Sequence, residues 1–166
     1  MQKKWLFNPR IIRSPWSDYY GDEIENCLQT YPEDYLREIA EEGYNGIWLR
    51  VLLREIVSST PFPEFGNKGK EQLTALNKLV AKAGCFGIKV YLYLCEPRGF
   101  RAKDLFWQHH PEVKGQPVTF HASGSDGIYF ALCSSTAAVR EYLEESSFKS
   151  LQARPRLRRC FPDYRQ

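Results

Sequence analysis

Hydrophobic and polar positions along the chain follow two periods. Around "TYPEDYLREIAEEGYNG", Tyr35, Leu36, Ile39 and Ala40 recur at helical spacing. Thr30 and Glu33 stand at capping-box spacing, Pro32 suits a first turn, and Gly43 supplies the stop. Acidic residues crowd that first turn, where the helix dipole favours them. "GIWLRVLL" follows with little alternation, which predicts a strand buried on both faces. A second helix is predicted over about 69–83, its face marked by Leu73, Leu76, Val80 and Ala83, with Gly84 and Gly87 closing it. Another apolar strand then runs from Ile88 to about Cys95.

Weaker signals fill the remainder. Ile11 and Ile12 predict a short strand ending near Ser14, and "SPWSDYYGDEIENC" reads as a loop. "RAKDLFWQHHPEVKG" predicts a short helix stopped by Pro111, "GIYFALC" a further extended piece, and "SSTAAVREYLEESSFKSL" a capped helix using Val139, Tyr142 and Leu143. Strand and helix alternate, which argues for parallel strands joined by right-handed crossovers. Two architectures fit: a finished flavodoxin-like open sheet, or the first three to four β/α units of a (β/α)8 TIM barrel. No glycine-rich phosphate loop follows the first strand, and the loops at 15–30, 54–68 and 96–102 are long and polar. Both features favour the partial barrel, whose active-site face such loops would form.

Length and composition restrict the rest. A chain of 166 residues, 43% hydrophobic, fits one globular domain, taken here as 1–151. Net charge is +3, but five arginines (Arg154, Arg156, Arg158, Arg159 and Arg165) lie in the tail 152–166. That tail has neither a helical face nor a strand run, where a parallel α/β chain should supply its next buried strand. Truncation or a shifted reading frame is the expected cause. No basic stripe interleaved with aromatics argues for nucleic acid. Five cysteines without a CxxC pair argue for buried reduced thiols rather than a zinc site or disulfides. No signal peptide or membrane span is legible, so a cytoplasmic chain is the default expectation. No cofactor and no metal is expected.

Three polar clusters fall at carboxyl ends of predicted strands: Arg13, Trp16 and Asp18; Arg50, Arg54 and Glu55; Glu96 and Arg98. Ligands of parallel α/β folds bind at that edge. Carboxylates accept from sugar hydroxyls, guanidinium donates to vicinal oxygens, and an indole packs on a sugar's apolar face. The candidate binding residues are Arg13, Trp16, Arg54, Glu96 and Arg98. Each has a plainer alternative: Arg13 and Glu96 pairing with each other, Arg50 lying under a helix, Trp16 and Trp48 serving as core. His109 and His110 are adjacent, so they point to different helix faces and read as a C-terminal cap. His121 falls in the surface loop "HASGSDG", and Cys95 and Cys133 read as buried thiols.

The segments "PRIIRSPW", "YPEDYLREIAEEGYNGIWLRVLLRE", "GIKVYLYLCEPRG" and "ALCSSTAAVREYLEE" occur in a suggestive order. Over residues 9–151 they resemble the first half of the catalytic barrel of glycoside hydrolase family 20, the β-N-acetylhexosaminidase group. The resemblance implies that Arg13 contacts sugar hydroxyls; Glu96 and Arg98 match by position alone. The chain departs from the family at "WLRVLLRE", where typical members carry histidines and an aspartate. The family's adjacent Asp-Glu pair, which acts with the substrate's own acetamido group, has no counterpart after Glu145. The implied function is a truncated glycoside hydrolase-like protein that contacts carbohydrate without hydrolysing it and self-associates through open sheet edges. The alternatives are a small open-sheet binding module and a degenerate pseudo-enzyme with a structural role.

Overall fold

The computed structural model describes residues 6–17, 23–120 and 127–152. Their contacts separate into two compact units, one formed by 6–51 and 70–93 and the other by 52–69 and 94–152. Asp18, His121, Cys160 and the arginine-rich tail lie outside the described residues.

The first unit is built on three strands: β1 (Ile11–Ile12), β2 (Gly46–Val51) and β3 (Lys89–Leu94), in the order β1-β2-β3. β1 lies parallel to β2, with Ile11 opposite Gly46 and Ile12 opposite Ile47. Asn45 ties the strand starts together: its N–H donates to Arg10 O and its carbonyl accepts from Lys89 N. These three strands make an open parallel sheet, not a closed barrel. Between the strands run α1 (Cys27–Thr30), α2 (Glu33–Glu41), α3 (Leu53–Ile56) and α4 (Gly69–Gly84), of which α3 belongs to the second unit.

α2 forms where its period predicts, and Leu36 and Ile39 are its buried residues. Gly43 follows with φ of 100°, a left-handed conformation that ends the helix at little cost for glycine. The capping box does not form. Thr30 closes α1 instead, its hydroxyl donating to Cys27 O, and Pro32 occupies the cap position of α2. α4 is rotated relative to its expected face: Gln72, Leu76, Leu79 and Ala83 are buried, while Leu73 and Val80 are only half-buried.

β2 is buried on both faces, as its apolar run predicts. Ile47, Leu49 and Val51 are buried on one face; Gly46 and Arg50 are buried on the other, where Trp48 is half-buried. β3 departs from the expected buried strand. Leu92, Tyr93 and Leu94 are 41%, 58% and 44% exposed. Its position explains this: β3 ends the sheet, with β2 as its only neighbour among the described residues.

The second unit holds β4 (Phe100–Arg101), α5 (Phe106–His109), β5 (Lys114–Phe120), β6 (Gly127–Leu132) and α6 (Ala137–Gln152). Here the expectation of parallel strands fails. β6 pairs antiparallel with β4 on one side and β5 on the other. The "GIYFALC" piece, expected as a further extended segment, is thus the centre of an antiparallel meander. Phe62, Phe65, Phe106, Trp107, Val113, Leu132, Val139 and Tyr142 form its core. Phe62 and Phe65 come from the loop 54–68, which sequence alone reads as polar. α6 is preceded by Thr136, whose hydroxyl donates to Cys133 O. Farther along α6, Glu145 accepts from the N–H and hydroxyl of Thr60, and Lys149 donates to Ser58 O. Lys149 first, then Thr60, holds the Glu145 carboxyl down at about 2.

Candidate functional site

Of the first unit's polar residues, Glu23 organises the rest. Its carboxylate is almost fully buried, pairs with the Arg13 guanidinium, and accepts from Arg50 N at 2.9 Å. A carboxylate so placed must be neutralised to stay buried, and Arg13 supplies the charge. Arg13 therefore engages Glu23, a partner that the sequence reading did not name. Arg50 is buried. Nearby, the Tyr31 hydroxyl accepts from Ser14 N at 2.9 Å and donates to Trp48 O at 3.0 Å, which links the segment after β1 to β2. Burial is the main cause that raises the Tyr31 pKa.

Arg13 rests over the Trp48 ring, its guanidinium carbon 5.0 Å from the ring centroid. Tyr93 meets the same indole edge-on, with centroids 5.8 Å apart. Tyr91 lies over Gly46, where a Cβ would come within 2.8 Å of the ring. Glycine at the head of β2 thus lets an aromatic ring settle on the sheet. Ile11, Trp48, Tyr91, Leu92 and Tyr93 line a concavity of about 500 Å³. Trp48 is therefore a wall of an open depression rather than core. Trp16 is not core either. It is 62% exposed and meets Tyr35 edge-on at 5.2 Å.

In the second unit, the side chains of Arg54 and Glu96 come together with the backbone of Arg98. Glu96 accepts from Arg98 N at 3.0 Å and from Arg54 N at 3.4 Å. The Arg54 guanidinium donates to Arg98 O at 2.6 Å and sits 4.0 Å from the Phe100 ring centroid. The carboxylate and the guanidinium after this apolar strand pin the 96–99 turn. Burial raises the Glu96 pKa, against the lowering influence of Arg54 and the two backbone N–H groups. Tyr142 beside it is raised as well, by burial first and by Glu96 second. A folded-state pKa above the ordinary 4.5 means that the unfolded chain gives up this proton first. Glu96 therefore contributes to stability below that value, and the contribution is lost as pH rises through the raised one. Urea denaturation at a series of pH values should show this decline, and Glu96→Gln should flatten it. An unchanged slope in the variant would remove Glu96 as its source.

Other sequence candidates have plain roles. His110 follows α5, its N–H donating to Phe106 O, and its Nε2 lies 2.8 Å from Glu64 Oε1. Cys27 is buried, Cys95 and Cys133 are half-buried, and Cys85 is exposed, so burial does not describe the thiols as a group. Among the described residues no cluster of His, Cys, Asp and Glu is placed to hold a metal ion. No helix there is long and apolar enough to cross a membrane. Sequence reasoning missed Glu23, Tyr91 and Tyr93 as site residues. The i, i+2 spacing of the two tyrosines on a strand was the available signal.

The fold is similar to two solved galactosidase structures. The galactosidase domain of AgaSK, an alpha-galactosidase–sucrose kinase, matches with a TM-score of 0.53 at 17% identity, over 89% of this chain and 20% of that one. The GH36 alpha-galactosidase AgaA from Geobacillus stearothermophilus, solved in complex with stachyose, matches with a TM-score of 0.54 at 17% identity, over 95% and 23%. At this identity the likeness is one of fold, and the chain spans about a fifth of the length of either protein. It supports a glycoside hydrolase-like fold but not family 20 or an N-acetylhexosaminidase, which corrects the narrower resemblance drawn from the sequence. No protein-family model and no curated protein matches the sequence.

Proposed function

We propose that this chain binds carbohydrate, of galactoside type, on the aromatic face of its parallel sheet. One observation carries the reading: Trp48 and Tyr93 wall an open concavity beside a guanidinium that a buried carboxylate holds in place. The apolar C–H face of a sugar ring packs on an indole, and a fixed guanidinium donates to neighbouring hydroxyls. The likeness of fold to galactosidase structures supports galactosides as the class to test first. Glu23 is the carboxylate bonded into this face. Its oxygens are engaged by Arg13 and Arg50, so it serves positioning rather than acid–base chemistry. Binding without hydrolysis is the expected behaviour.

Isothermal titration of the full chain with stachyose should give saturable binding, with Kd on the order of a millimolar. Trp48→Ala should weaken it roughly tenfold or more, and Tyr93→Ala, at an exposed position, should weaken it while leaving the fold intact. An aryl α-galactoside should not be turned over. Saturable binding of N-acetylglucosamine and not of stachyose would overturn the galactoside assignment. Absence of binding to either would overturn carbohydrate recognition on this face.

A further inference from the structure

We propose that Tyr31 and Glu23 are positioning residues for the sugar site, holding β1 and β2 apart where the two strands reach it. The effect on binding presupposes carbohydrate on that face, and so rests on the reading above; the cause lies in the ladder between the strands. In a parallel pair, a bonded residue engages through its N–H and C=O the two residues that flank its opposite on the next strand. Gly46 N donates to Arg10 O, with Ile11 as the residue opposite Gly46. Continuing that register sets Arg13 opposite Trp48 and makes Trp48 and Arg50 the next bonded residues of β2. Ser14 N should then donate to Trp48 O, and Arg50 N to Ser14 O.

Side chains take both places. The Tyr31 hydroxyl stands between the first two partners, accepting from Ser14 N at 2.9 Å and donating to Trp48 O at 3.0 Å. Glu23 takes the second donor, Arg50 N, at 2.9 Å, and Ser14 O accepts from Ser17 N instead. Two consecutive rungs are thus replaced from one segment, 23–31, whose Glu23 and Tyr31 are both buried. A direct N–H···O=C bond spans about 2.9 Å. Through the hydroxyl the same backbone groups are linked by two bonds, so the strands splay from Ser14 onward, and β1 ends at Ile12. The splay places the two groups that would meet a sugar. Trp48 is held through its carbonyl; Arg13, next to Ser14, pairs with Glu23 and reaches over the Trp48 ring at 5.0 Å. A rung restored directly between Ser14 and Trp48 would narrow the interval in which a sugar ring packs on the indole while its hydroxyls meet the guanidinium.

Tyr31→Phe removes the bridging oxygen and keeps the ring. In full-length protein labelled with 5-fluorotryptophan, the Trp48 fluorine resonance, identified as the one lost in Trp48→Phe, should move in Tyr31→Phe, while that of Trp107 in the second unit stays in place. Stachyose should bind this variant roughly tenfold more weakly than wild type. Glu23→Gln keeps an oxygen for Arg50 N but not the charge that holds Arg13, and it should weaken stachyose binding to a similar extent. Circular dichroism would verify that both variants keep the wild-type fold. A Trp48 resonance that coincides with wild type in Tyr31→Phe, or unaltered stachyose affinity in either variant, would overturn the proposal. Wild-type protein that fails to bind stachyose would overturn the carbohydrate reading instead, and the fluorine resonance, which needs no ligand, still decides whether Tyr31 places Trp48.

Discussion

Phe62→Ala should destabilise the protein by about 3–5 kcal/mol, the cost of deleting a large aromatic side chain from a core that collapses only in part. Phe62 is fully buried at the centre of the second unit. Its ring centroid lies 5.1 Å from Phe65, 5.5 Å from Phe106, 5.7 Å from Tyr142 and 5.1 Å from the His110 imidazole. Several of these contacts are edge-to-face, so truncation removes favourable ring geometry together with buried area. In a thermal melt followed by circular dichroism the midpoint should fall by roughly 10 °C or more. Phe62→Leu should recover part of the loss. A decrease under about 1 kcal/mol, the average for an arbitrary substitution, would mean that these rings do not form a packed core.

The second large effect comes from one methyl group. Gly99 precedes β4 and passes directly over β6: an added Cβ would lie 1.6 Å from Phe130 O and 2.3 Å from its carbonyl carbon. The obstacle is backbone, which no rotamer change relieves. Gly99→Ala must therefore push β4 off β6, where Phe100 opposes Phe130. It must also move the turn whose carbonyls at Arg98 and Gly99 accept from Arg54. The expected loss is about 2–4 kcal/mol by urea denaturation. Gly84 is the contrast. It ends α4, lacks a positive φ, and has nothing within 4 Å of the place an alanine methyl would take. Gly84→Ala should be neutral or stabilising by up to about 1 kcal/mol. Equal effects at the two glycines would mean that close approach of backbone is not what sets the cost.

Site residues were only partly legible. Arg54, Glu96 and Arg98 meet, as their places at strand ends suggest, but they are bound to one another and to the turn. Charge and position along a strand do not tell whether a side chain turns toward a ligand or back onto its own loop. The partner of Arg13 was hidden for a related reason. Glu23 lies in a stretch that reads as loop, and its burial depends on Arg13 and on the N–H of Arg50, 27 residues away. Trp48 reads as core because its strand is apolar throughout. Hydrophobicity records what a side chain tolerates, not how far its neighbours cover it, and Trp48 stays half-buried.

By itself the sequence determined the local elements that close on their own residues. The period of Leu36 and Ile39 specifies α2, Gly43 ends it, and the apolar runs at 46–51 and 89–94 specify strands. Such features depend on neighbours within a few residues, and the order of residues states them directly. Tertiary structure alone decided which strands pair and which faces are covered. It turned β6 antiparallel into a meander with β4 and β5, drew Phe62 and Phe65 out of an apparently polar loop into a core, and left β3 at the edge of the sheet among the described residues. The physical reason is that burial and pairing are relations between distant segments: their free energy is gained only when both surfaces meet, so neither segment carries the outcome alone.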